Sequence, residues 1–218
     1  MKSFFRSYRL DSGWKRRAAA ACTPLALGLC LLLANCGSER PIHYYMLEST
    51  PAPIPKAATY PVTIVVGHIT APMLYRDDRL VYGSGSVELG ADYYNRWAEA
   101  PTEMIENILV QDLRSSGQFR SVQRQASSAR GDYILRGHLS AFNEVDTQGV
   151  AARFTIEFEL YQPKTGSIVY TFQPYSHDEP ASGKSPSAVV EAMQTNVRAA
   201  LQQVTSELGQ YLASHPAQ

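Results

Sequence analysis

Beyond residue 36 this 218-residue chain has no cysteine, because its only three stand at 22, 30 and 36. Whatever folds downstream therefore has no internal disulfide and no cysteine-ligated metal. Clustered positive charge is missing too: Lys and Arg form no patch after Arg17, and nucleic-acid binding needs a basic patch or stripe. The five histidines, at 43, 68, 138, 177 and 215, form neither an HExxH nor another short ligand pair. No G-x-S-x-G nucleophile elbow occurs, since Gly83-Ser84-Gly85-Ser86 has the wrong spacing. The one long uncharged run, Ala18 to Ala34, falls short of the ~20 apolar residues that span a bilayer.

What is present begins with a leader. Lys2, Arg6, Arg9, Lys15, Arg16 and Arg17, opposed only by Asp11, precede that apolar run, which is the order of an exported signal peptide. The run ends at Leu33-Ala34-Asn35-Cys36-Gly37-Ser38. An aliphatic and a small residue leading into cysteine resemble a bacterial lipobox, with Asn35 departing from it where Gly, Ala or Ser is usual. Cys30 fits less well, because Leu29 precedes it and the apolar run continues past it. We expect residues 1–35 to be a cleaved signal, Cys36 to be lipidated, residues 36–41 to be a tether, and residues 42–214 to form one domain. The competing reading of Cys36 is a free thiol behind an ordinary secretory cut. Removing the leader's six basic residues and Asp11 from a balance of 20 against 20 leaves 14 basic and 19 acidic residues, so the remainder is mildly acidic.

Periodicity supplies the elements. Ile42 to Leu47 reads as a first strand, and prolines at 51, 53, 55 and 61 as a connection. Val62 to Ile69 is almost continuously apolar and β-branched, as in a strand covered on both faces and central in its sheet. Arg79 to Tyr82 is a shorter strand. Pro101-Thr102 opens a helix with Met104, Ile105, Ile108, Leu109 and Leu113 on one face and Gly117 past its end. Tyr133 to Phe142, Arg153 to Tyr161 and Ile168 to Phe172 follow as strands, the last two joined as a hairpin through Gln162 to Gly166. Ser185-Pro186 opens a final helix of about seven turns, with Val189, Met193, Val197, Leu201, Val204, Leu208 and Tyr211 or Leu212 in one stripe. The expected order is β, β, β, α, β, β, β, α. The fold class is α/β, a single domain with a mixed, largely antiparallel sheet packed with two main helices.

Candidate chemistry is thin. Ser182-Gly183-Lys184-Ser185 resembles the end of a phosphate-binding loop, but Asp178 stands where that loop needs glycine, and Pro186 explains the segment as a helix cap. His68 and His138, inside strands, read as satisfied structural residues. Asp77 with Asp78, and Glu157 with Glu159, are carboxylate pairs that solvation explains, leaving an acid/base enzyme as the weakest of three functional hypotheses. Ala91 to Pro101 carries Tyr94, Arg96 and Trp97, a set that either caps the core or anchors a partner surface. No metal or other cofactor is expected.

Tyr44-Tyr45-Met46-Leu47 behind the lipobox, Val62 to Ile69 followed by Pro72 and Leu74, and Asp78 with Leu80-Val81 recur in order with Arg96-Trp97-Ala98-Glu99. Leu109, Leu113, Gly117-Gln118-Phe119 and Tyr133-Ile134-Leu135 continue the series. Together they resemble the ABC-type transport auxiliary lipoproteins. The resemblance implies a non-enzymatic subunit of a system that moves phospholipid between two membranes, working with a permease, an ATPase and a periplasmic MCE-domain protein. It implies docking on that MCE protein, with a ring of copies as one arrangement. Gly37 stands where an inner-membrane retention signal has Asp, so the expected place is the outer membrane, facing the periplasm, through an acyl (palmitate-bearing) anchor. A carrier that itself encloses an acyl chain is the alternative.

Overall fold

The computed structural model describes residues 40–48, 59–83, 88–126, 128 and 130–216. The leader and Cys36 lie outside the described residues. Ile42 opens a compact unit that continues to the C-terminus.

The longest alternating stretches of the sequence become the spine of the sheet. β6 (Tyr133–Asp146) and β7 (Val150–Gln162) form an antiparallel hairpin paired from Ile134–Tyr161 to Asp146–Val150. Phe154, Ile156, Phe158 and Leu160 of β7 point into the core, while Glu157 between them is exposed. Period-2 alternation has thus sorted one dry and one wet face. Phe142, Phe154 and Leu160 are fully buried, each stabilising the fold by about 1.5–3 kcal/mol.

Two segments share the other edge of β6. β2 (Tyr60–Thr70) runs parallel to its first half and β3 (Arg79–Gly83) parallel to its second, with a short 3-10 turn at Met73–Tyr75 between them. β5 (Phe119–Arg124) lies parallel outside β2. Outside β3 comes antiparallel β4 (Gly90–Trp97), and outside that the short parallel strand β1 (His43–Tyr45). β7 carries β8 (Ser167–Thr171) beside one half and β9 (Tyr175–Pro180) beside the other, both antiparallel. β2 is interior, paired on both edges, which suits its apolar run.

α1 (Pro101–Ser115) packs on β2 and β5, α2 (Pro186–Ser214) packs on β7 and β9, and the helices touch each other. Both therefore cover one face of the sheet. Met104, Ile105, Ile108, Leu109 and Leu113 are buried, as are Val189, Met193, Val197, Leu201, Val204, Leu208 and Leu212. Ser185 caps α2 by accepting the Ala188 N–H at 3.2 Å, and Pro186 follows at the first helical position. Gly117 has φ +63°, the left-handed conformation that ends α1 and that glycine adopts without a Cβ penalty.

The α/β class, the single domain and the two helices are as expected. Three strands were not. β5 offers only Val122 as a buried apolar residue. β9 is a charged edge strand, Tyr-Ser-His-Asp-Glu-Pro, whose charges suit an unpaired edge. β4 is interrupted, and its interruption is the most individual feature of the fold.

Candidate functional site

The interruption begins at Asp92. Between the Arg79–Arg96 and Val81–Ala91 pairs the β3–β4 register shifts, so that residues 92–95 bulge out of the ladder. Asp92 Oδ1 accepts the backbone N–H of Tyr94 at 2.8 Å and of Asn95 at 3.1 Å, and Oδ2 accepts the Asn95 side-chain amide at 2.8 Å. Burial would raise the Asp92 carboxyl, but these hydrogen bonds outweigh it and hold it below the ordinary value.

At the crest of the bulge Tyr93 and Tyr94 meet edge to face at 5.1 Å. Arg96 secures them from beneath: its Nε donates to the Tyr93 carbonyl at 3.1 Å, its guanidinium lies 5.4 Å from the Tyr93 ring centre, and Nη1 pairs with Asp78 at 3.2 Å. Tyr93 is 63% exposed and Tyr94 36%, whereas Trp97, at the end of the same strand, is 3% exposed. Trp97 packs edge to face on Phe142 at 5.2 Å. The expected partner set Tyr94, Arg96 and Trp97 is therefore divided. Trp97 belongs to the core and reaches no surface, because the regained strand alternation turns it inward; Tyr94 and Arg96 remain at the surface with Tyr93.

The uncovered face of the sheet holds a polar concavity of about 490 Å3 lined by His68, Thr70, Arg136, His138 and Glu159 among others. His138 Nδ1 is 2.8 Å from Thr70 Oγ1. Arg136 lies 3.9 Å from the Tyr161 ring centre and 3.6 Å from Glu159. His138 is thus bonded and His68 Nδ1 lies 3.5 Å from Glu106 Oε2, and both side chains are exposed rather than in the core. Glu106 of α1, 4% exposed, accepts the Ile69 N–H at 2.8 Å and two hydrogen bonds from Arg124 at 3.0 and 3.2 Å. It meets the backbone of β2 beyond Val66, the last residue that β2 pairs with β5.

Of the carboxylates paired in the sequence, Asp77, Asp78 and Glu159 are tied to arginine. Asp77 receives Arg79 Nη2 at 2.7 Å, and those hydrogen bonds hold its carboxyl down at about 2. Glu157 and Glu159 do not act as a pair, because Glu159 turns to Arg136 while Glu157 is exposed. Lys184 of the Gly-Lys-Ser segment lies 3.7 Å from Asp146. Among the described residues no group of three His, Cys, Asp or Glu could hold a metal, and no helix is long and apolar enough to cross a membrane.

A family model, the ABC-type transport auxiliary lipoprotein component, matches residues 45–205. The chain belongs to this family. The match runs from the last residue of β1 into α2 and so takes in the bulge, the open face, all of α1 and most of α2. No curated protein sequence matches it. Among solved structures it is similar to protein XCC0632 of Xanthomonas campestris, a DUF330 protein, with 19% identity and TM-score 0.72 over 79% of this chain and 99% of that one. A second, an uncharacterized protein, shares 15% identity and TM-score 0.59 over 77% of this chain and 99% of the other. Both likenesses are of fold.

One surface of this auxiliary lipoprotein escaped the sequence reading. Tyr45 and Leu47 turn inward, and Ile42, Tyr44 and Met46 turn out, being 40%, 62% and 60% exposed. The signal was period-2 alternation in Ile42 to Leu47, which puts the apolar Ile42, Tyr44 and Met46 on one face and Tyr45 and Leu47 on the other.

Proposed function

We propose that this protein is a non-enzymatic outer-membrane lipoprotein of an MCE-type ABC system for intermembrane phospholipid transport, anchored through Cys36 and docking on the periplasmic MCE protein. The observation that carries the reading is the family match over residues 45–205. It is supported by the lipobox ending at Cys36 and by Gly37 where a retention signal has Asp. Residues 1–35 are the cleaved signal, residues 36–41 the tether and residues 42–214 the working domain.

Docking is favoured over catalysis because Asp77, Asp78 and Glu159 are each engaged by an arginine. It is favoured over enclosing a lipid because the concavity of about 490 Å3 is lined by His68, Arg136, His138, Glu157 and Glu159, whereas a site that encloses an apolar ligand is lined predominantly by hydrophobic side chains.

Cells fed radiolabelled palmitate should yield a labelled polypeptide, and Cys36→Ser should be unlabelled. Crosslinking in cells should then capture the MCE protein with the labelled form. An unlabelled wild-type chain would overturn the anchor; a labelled chain that never captures a demonstrably present MCE protein would overturn the docking.

A further inference from the structure

Five exposed apolar or aromatic side chains gather at one end of the molecule. Ile42, Tyr44 and Met46 form the outward stripe of β1 and its flanks, and Tyr93 and Tyr94 crown the adjacent bulge. The two groups adjoin, for Tyr44 stands opposite Arg96 in the parallel β1–β4 register, and the Arg96 guanidinium lies over the Tyr93 ring. Outward strand positions are usually polar where a sheet meets water. Here they are apolar, and Asp92 and Arg96 hold the backbone that carries Tyr93 and Tyr94, so that little main-chain freedom remains to be lost on contact.

The length of chain before β1 decides what meets this end. Cys36 is six residues before Ile42, and six extended residues reach at most about 20 Å. A domain of this length is roughly 40 Å across. The tether is thus shorter than the body it holds, and only the end bearing β1 can rest against the anchoring surface. Tyrosine is also the side chain, with tryptophan, that settles at the headgroup level of a bilayer, its ring in the apolar boundary and its hydroxyl in water.

We infer that Ile42, Tyr44, Met46, Tyr93 and Tyr94 form a membrane-contacting rim that seats the domain in the lipid headgroup layer and fixes its orientation. The inference rests on the acyl anchor proposed above and adds to it a second, non-covalent contact. The acyl chains hold the protein at the membrane, and the rim sets which way it faces. The turn at residues 163–166 then points away from the lipid, because it lies at the opposite end of the β6–β7 hairpin from the β3 pairing at Glu144 and Val145.

The test uses the mature, acylated full-length protein in phosphatidylethanolamine–phosphatidylglycerol vesicles. Tyr94→Trp and Tyr44→Trp serve as reporters and Lys164→Trp as the distal control, each read as a difference from the parent with its buried Trp97. The two rim reporters should shift to shorter emission wavelength on reconstitution and lose intensity when the acyl chains are brominated, while the control does neither. Protein that floats with the vesicles but leaves both rim reporters unquenched overturns the rim and leaves the anchor standing. A shift that follows protein concentration without bromine quenching overturns it in favour of contact between copies, and a shift that needs added MCE protein does so in favour of that partner. Protein that fails to float overturns the anchor and the rim with it. Matching thermal unfolding of each variant and the parent verifies that the fold is retained.

Discussion

Tyr175 and Asn196 are joined by a 2.8 Å hydrogen bond from the tyrosine hydroxyl to Asn196 Oδ1, in the middle of the apolar stripe of α2. Asn196 is 0% exposed, and its amide donates to the carbonyls of Ala152 at 2.7 Å and His177 at 3.1 Å. One side chain so ties the helix to β7 and β9 with every polar atom satisfied, an arrangement that specifies how α2 lies on the sheet.

Asn196→Leu keeps the volume and removes all three bonds. It strands the buried Ala152 carbonyl and leaves the part-buried His177 carbonyl and Tyr175 hydroxyl to find water, and an unsatisfied buried group costs about 1–3 kcal/mol. Urea unfolding should show a loss of at least ~2 kcal/mol. A variant as stable as the parent would show that these bonds contribute no net stability.

Glu106 is the corresponding polar group under β2. Glu106→Ala strands the Ile69 N–H and removes the partner of Arg124. Because the Arg124 side chain is 41% exposed it can turn to water, so the loss should be about 2–3 kcal/mol, below that for a fully buried pair. Glu106→Gln keeps an acceptor for Ile69 and should recover part of it. The midpoints of chemical denaturation, measured at equal slope, give both numbers.

Trp97 and Tyr93 stand four residues apart and should respond oppositely to truncation. Trp97→Ala opens a cavity against Phe142 and should cost about 3–5 kcal/mol. Tyr93→Ser removes an exposed ring and should change stability by less than about 0.5 kcal/mol. Thermal melts of the two variants check the division made for this segment.

Acid should weaken the fold through its arginine-bound carboxylates. Hydrogen bonds from Arg79 hold Asp77 at about 2, and those from Arg153 lower Asp178. A carboxyl whose folded value is depressed stabilises the fold above its unfolded value, near 3.9. That contribution fades as pH falls through the folded value. Both pairs are over a third exposed on the acid side, so each is worth little individually. The double variant Arg79→Gln/Arg153→Gln should therefore show a shallower decline of stability between about pH 4 and pH 2. Glu144 acts in the opposite sense, raised by burial and then by Asp146 and Asp92. Its ionisation opposes folding, and Glu144→Gln should raise the unfolding midpoint at neutral pH.

The helices were legible in the residues because their information is local. Pro101 and Pro186 mark the starts, and 3.6-residue spacing from Met104 to Leu113 and from Val189 to Leu212 marks the buried faces. The strands β6 and β7 were legible for the same reason, though their pairing with each other was not, and α2, at 29 residues, runs one turn past the seven expected. β5 and β9 were not, since one carries a single buried apolar residue and the other is charged. Their strand conformation is imposed by β2 and β7 through long-range pairing, which propensity does not register.

By itself, then, the sequence determined the α/β class, both helices, the long strands β6 and β7, the β7–β8 hairpin and membership of the auxiliary lipoprotein family. Each of these is written in short-range periodicity or ordered motifs. Only the tertiary structure decided that Trp97 turns in while Tyr93 and Tyr94 turn out, that Glu106 meets Ile69 and Arg124, and that Ile42, Tyr44 and Met46 share an end with the bulge. Those outcomes depend on a register shift opposite β3 and on which strands become neighbours. A one-residue slip reverses every side chain on a strand, so the direction a residue faces is a property of the pairing and not of the segment.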